Sequence, residues 1–137
     1  MAFFLYKLPF TMKTIAVYIF ISLFCCLQKS NQCNLITDII KHKEVQHFLH
    51  PEAKERDTLY IQKTEICKEY NQKVNGIHVI AVNRKEWQTK PNRLELSLVK
   101  ENGQLKRINM HYPPEGAVFI AYLDELGNLE NIHAFEK

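Results

Sequence analysis

Apolar and polar positions fall into four kinds of stretch along this chain. The first is a run from Ile15 to Leu27, interrupted only by Ser22, with Lys7 and Lys13 before it and the polar residues 28–34 after it. The second has helical spacing. Leu35, Ile36, Ile39 and Ile40 recur on one face, and Val45, Phe48 and Leu49 extend the stripe until Pro51, whose ring cannot continue a helix. The third is a pair of short β-branched segments, Thr58-Leu59-Tyr60-Ile61 and Ile77-His78-Val79-Ile80-Ala81-Val82. The turn signal Asn75-Gly76 precedes the second segment. Residues 64–70 fit neither period. Asn83 is placed to cap a short helical turn reaching Trp87, and Lys90-Pro91-Asn92 ends it.

The fourth stretch is strict alternation. Leu94, Leu96 and Leu98 alternate with Glu95, Ser97 and Val99, the period of a half-buried strand. Asn102-Gly103 supplies the positive φ angles of a tight hairpin. Ile108, Met110 and Tyr112 share a face of the returning strand. Pro113-Pro114-Glu115-Gly116 turns the chain into Ala117–Leu123, which is apolar on both faces. Leu126-Gly127-Asn128 turns it again into a closing strand from Leu129 to Phe135. The predicted fold is α+β: an N-terminal helix packed on an antiparallel sheet that ends in a four-stranded meander. Leu96, Ile108, Phe119 and Ile120 are its expected core. Lys100 and Asn102, at a hairpin end, are expected to tolerate change.

The order basic, apolar, polar is that of a secretory signal. We therefore expect residues 1–32 to be a signal peptide with a short polar linker, and 33–137 to be one α+β domain. The clean apolar run is shorter than the about 20 residues a spanning helix needs. The alternative is retention as a membrane or lipid anchor, for which Cys25, Cys26 and Cys33 are attachment candidates. Met12-Lys13 also reads as a start. The expected location is exported: secreted or periplasmic, with membrane contact only if the leader is retained or lipidated.

Removal of the leader changes the charge. Taking Lys7 and Lys13 from the 18 Lys+Arg leaves 16, against 15 Asp+Glu. A nearly neutral domain lacks the net basic surface that nucleic-acid binding requires. Residues 84–110 are rich in Lys and Arg and residues 111–137 in Asp and Glu, as expected for neighbouring strands that pair opposite charges. Cleavage also leaves only Cys33 and Cys67. In an oxidising compartment they could pair, closing a loop of about 35 residues worth ~4 kcal/mol in the chain-entropy model. The other reading keeps Cys67 as a buried apolar residue and Cys33 free or lipidated.

Two resemblances bear on function. The turns Tyr112-Pro113-Pro114-Glu115-Gly116 and Gly127-Asn128, within this order of elements, resemble small exported bacterial α+β proteins of uncharacterised function. Gln72-Lys73-Val74-Asn75-Gly76 resembles the Gln-x-Val-x-Gly hairpin loop of cystatins, which also place a helix before an antiparallel meander. That resemblance implies a cysteine-protease inhibitor that inserts this loop into a cleft, with Val74 exposed at its tip. In place of the cystatin Pro-Trp hairpin, Trp87 here follows Glu86. The competing reading packs Val74 against the domain and leaves Asn75-Gly76 as a simple turn.

Other candidate chemistry is sparse. His42, His47 and His50 are expected to be solvated, since positions five apart on a helix point about 140° apart, and no metal or cofactor is expected. Cys67 could meet His78 or His111, the arrangement a hydrolase would need, but nothing local activates it. Tyr60, Tyr112, Tyr122 and Trp87 read as core or hairpin aromatics. The expected function is an exported, non-enzymatic binding protein with a protein partner. The alternatives are a cystatin-like inhibitor, or an immunity protein or envelope component.

Overall fold

The computed structural model describes residues 14–19 and 33–136. The chain divides between Gln32 and Cys33 into two units. In the first, residues 14–19 are helical. Lys7, Ser22, Cys25, Cys26 and most of the expected leader lie outside the described residues. No helix of the described residues is long and apolar enough to cross a membrane.

The second unit is α+β. Helix α1 spans residues 33–41 and helix α2 spans Lys43–Leu49. The apolar stripe predicted one continuous helix, but His42 is extended at φ −63° and ψ 135° and begins α2 afresh. Its Nδ1 accepts from the Glu44 N–H, and Gln46 Nε2 donates back to the Ile40 carbonyl at 2.5 Å. These side chains supply partners to backbone groups that the break would leave unpaired. His50 ends α2 in the left-handed region at φ 44°, and Pro51 follows.

The strands are β1 (Thr58–Gln62), β2 (Asn71–Val74), β3 (Ile77–Val82), β4 (Arg93–Glu101), β5 (Gln104–Tyr112), β6 (Ala117–Leu123) and β7 (Leu129–Glu136). They form one sheet in the order β2-β3-β1-β4-β5-β6-β7. The last four make the expected antiparallel meander. The first three make the sheet mixed, because β1 runs parallel to both β3 and β4. Two connections cause this: residues 63–70 with β2 lead from β1 to β3, and β3 is followed by the short helix α3 (Arg84–Trp87), capped by Asn83 Oδ1 on the Glu86 N–H. That helix carries the chain from β3 across β1 to β4, a crossover that leaves strands parallel.

β2 was not legible as a strand. Its residues Asn-Gln-Lys-Val show no apolar alternation, and it exists by pairing with β3. Residues 64–70 are a turn closed by a Thr64–Cys67 bridge. Two links fasten that segment to α1: the disulfide Cys33–Cys67, with Cα atoms 5.0 Å apart, and the Thr37 Oγ1–Tyr70 hydroxyl bond at 2.5 Å.

The core lies between α1, α2 and one sheet face. Ile36, Ile40, Leu49, Leu59, Ile61, Ile108 and Phe119 are fully or almost fully buried. The Phe48 ring meets Phe119 edge-on, with centroids 5.4 Å apart. Ile108 and Phe119 are thus core residues as expected. Leu96 is half-buried at the core rim, and Ile120 lies on the opposite sheet face, also half-buried.

Candidate functional site

The segment 72–76 forms a hairpin between β2 and β3. Asn75 at φ 49° and Gly76 at φ 84° make the tight turn, a conformation open to Asn and Gly at little cost. Gln72, Lys73, Asn75 and Gly76 are exposed. Val74 is not: it is 2% exposed, opposite Ile77, and belongs to the main core. The expected exposed valine is therefore corrected. Residues alternate across a strand, so the pairing that places Ile77 inward places Val74 inward too. The hairpin presents polar side chains, and the side chains of Asn71 and His78 bond to each other beside it.

A second cluster sits where α2 ends. Arg56 Nη1 lies 2.5 Å from Glu115 Oε1, and His50 Nε2 lies 3.9 Å from the same oxygen. His50 Nδ1 is 3.2 Å from Glu52 Oε1. The Arg56 guanidinium stands 5.9 Å from the Tyr112 ring centroid. Burial opposes the charge on Arg56, but the Glu115 contact and nearby charges outweigh it and raise its pKa. A backbone hydrogen bond, with His50 and Arg56 nearby, lowers the Glu52 pKa. Tyr112 is fully buried, which raises its phenol pKa, and its hydroxyl donates to Asn92 Oδ1 at 2.6 Å. Asn92 Nδ2 donates to the Thr58 carbonyl at 2.8 Å, and the Asn92 carbonyl accepts from the Tyr60 N–H. The cluster satisfies itself, so it ties α2, β1 and β5 together.

Of the histidine trio, His42 caps α2 while the His47 and His50 rings lie 6.3 Å apart, and among the described residues only His50 of the three joins a charge network. Among the described residues no group of three His, Cys, Asp or Glu is placed to hold a metal. Cys67 is in the disulfide, which removes the thiol that a nucleophilic role beside His78 or His111 would use. Trp87 is buried, donating from Nε1 to the Leu94 carbonyl, with the Arg93 guanidinium 5.1 Å from its ring. Lys90 Nζ stands 4.7 Å from the Tyr60 ring centroid.

The remaining feature is the sheet face that α1 and α2 do not cover. Around β1 and β3 it is screened by α3 and the residues after it. Over β4–β7 its side chains are all half-buried or exposed. Pairing sets its side chains in rows across the four strands. One row is Val99, Arg107, Tyr122 and Asn131; the next is Ser97, Asn109, Ile120 and His133; the third is Glu95, His111, Val118 and Phe135. Val99, Val118, Ile120 and Tyr122 are half-buried, and Phe135 is 52% exposed. Tyr122 and His133 rings meet edge-on at 5.6 Å, and Glu95 lies 3.8 Å from His111. Asn109 Oδ1 is buried there without a hydrogen-bond partner. Alternation set Glu95, Ser97 and Val99 opposite the leucines of β4, but β6 read as apolar on both faces with Ile120 in the core, and only the register joins these positions into one patch.

Comparison with family models, curated proteins and solved structures finds no match for this chain.

Proposed function

We propose that this chain is an exported, non-enzymatic protein-binding module that makes its contact through the open face of β4–β7. The observation that carries the reading is the apolar and aromatic row structure of that face, with Val118, Ile120 and Tyr122 along β6 and Phe135 beside them on the paired strand β7. A polar surface gains little from burial, whereas this one gains roughly 25 cal/mol per Å² of apolar area removed from water. Export rests on the leader-like order of residues 1–32 and on the Cys33–Cys67 disulfide, which points to an oxidising, extracytoplasmic compartment. An immunity protein or an envelope component would each use such a face.

The test is contact-dependent cross-linking in the producing cell. A benzoylphenylalanine at Tyr122 is expected to capture a protein on illumination, and the same group at Lys73 on the hairpin is not. Absence of any protein adduct at Tyr122 would overturn the reading.

Cysteine-protease inhibition is the second reading, and the exposed hairpin tip at Asn75-Gly76 is what favours it. The inward Val74 weighs against it, since the cleft would meet only polar side chains. Papain assayed with the exported protein decides: full activity at micromolar protein removes this reading.

A further inference from the structure

We propose that the open face of β4–β7 is covered by the same face of a second copy of this chain. The two copies would be related by a two-fold axis lying across the strands at the level of Ser97, Asn109, Ile120 and His133. The proposal rests on the protein-binding reading above and names the partner.

Charge is the first argument. Arg107 and Glu95 lie on this face at opposite ends of the patch, in the first and third rows. Four residues along a strand separate the rows by about 14 Å. Within one chain they therefore do not meet, and Glu95 instead lies 3.8 Å from His111. Among the described residues Arg107 has no ion-pair partner. A two-fold axis across the strands exchanges the first and third rows. Arg107 then lies over His111 of the other copy, displaced sideways from its Glu95 by one strand spacing of about 4.8 Å, so that the two long side chains can meet in the gap between the sheets. Each copy contributes both members, so two ion pairs form from a face with no strong net charge. A single-signed partner, such as an acidic protein or a nucleic acid, would leave Glu95 opposed.

Shape is the second argument. Row exchange places Tyr122 over Val118 of the other copy, and Ile120 over its own counterpart on the axis. Aliphatic and aromatic groups meet across a gap of about 10 Å between sheets, the spacing of a β-sandwich. Four strands by three rows project to about 400 Å² before side-chain relief is counted. That sets the contact at the small end of specific interfaces, roughly 600–800 Å² per partner, and implies a reversible dimer. Growth through the β7 edge is less favoured, because Asn131 Oδ1 already holds the Ile132 N–H at 2.8 Å.

The experiment is sedimentation equilibrium on the protein expressed from the full chain and purified from the producing cells. The expected mass is twice that of one chain at high concentration. Ile120→Arg is expected to give the single-chain mass with an unchanged far-ultraviolet spectrum. Arg107→Glu alone and Glu95→Arg alone are each expected to give the single-chain mass, and the two together to restore the dimer. Because the residues do not meet within one chain, that rescue operates only between copies. A wild-type protein that stays monomeric overturns the proposal, as does a dimer indifferent to Ile120→Arg or a double variant that stays monomeric. A monomeric protein that still captures a different protein through position 122 overturns the second copy and leaves the binding reading standing.

Discussion

The β2-β3-β1 side of the sheet and the β4–β7 meander are parts of one sheet, yet they are covered differently. Around β1 both faces are occupied: Leu59 and Ile61 pack under the helices, while Tyr60 on the other face carries Lys90 above its ring. In the meander only one face is occupied. Phe119 is fully buried against Phe48, and its neighbour Ile120 is half-open to solvent. A strand enclosed on both sides contributes stability. A strand enclosed on one side can also present a surface, and that is where we place the function.

Truncation of adjacent residues on the two faces of β6 breaks the comparison most sharply. Phe119→Ala is expected to cost about 3–5 kcal/mol, because it removes a ring from the centre of the core. Ile120→Ala is expected to cost less than about 1.5 kcal/mol in the monomer, because its site is already partly wet. Denaturant unfolding of both variants, under conditions where the protein is monomeric, measures the contrast. Similar losses would mean that the open face is not open.

Next in size is the disulfide. Replacing Cys33 and Cys67 together with Ser is expected to lower stability by ~4 kcal/mol if loop closure dominates. The loss is expected to concentrate in α1 and residues 64–70, which hydrogen exchange would resolve, with the meander protected longest.

Asn92→Ala is expected to cost about 2–3 kcal/mol, since it strands the buried Tyr112 hydroxyl and the Thr58 carbonyl without partners. This would loosen the junction between the two regions. Thermal unfolding measures it, and Asn92→Asp, which keeps the acceptor for Tyr112, is expected to recover part of the loss.

Alkaline pH separates the regions through two tyrosines, Tyr70 beside α1 and Tyr112 at the end of β5. Burial raises both phenol pKa values above 10.0. The folded state therefore favours the protonated form. The resulting stabilisation is complete below about pH 10 and is lost as pH rises through the raised values. Unfolding midpoints are expected to fall above pH 10 and to fall less in Tyr70→Phe. The smallest expected effect belongs to the open face itself. Asn109→Thr removes the buried unpaired Oδ1 and is expected to change stability by less than about 1 kcal/mol, toward greater stability, because an unmet acceptor is costly to bury.

The meander was legible because its residues obey one rule. Leu94-Leu96-Leu98 alternate, and Asn102-Gly103 takes the two positive φ angles, 52° and 76°, that the hairpin needs. The mixed half was not, because its determinants are polar and non-local. Asn92 reads as a turn residue after Pro91, yet it is buried and joins β1 to β5. β2 has a single apolar residue, Val74, and its direction follows from pairing with β3. The likeness of residues 72–76 to an inhibitory loop was a likeness of turn chemistry. Asn75-Gly76 turns the chain as such a loop does, while the register buries the valine that would act. The candidate face was not legible as a site: Ile120 read as core on a strand apolar on both faces, and rows across four strands exist only once the register is known.

The central claim is that the open face of β4–β7 is covered when the protein is at work. Hydroxyl-radical footprinting in the producing cell reads this at Tyr122 and Phe135, both on that face, with Trp87, buried on the other half, as the internal reference. The account predicts that Tyr122 and Phe135 are several-fold less oxidised in the wild-type protein than in the Ile120→Arg variant, with Trp87 unchanged. Equal oxidation in the two proteins would contradict it.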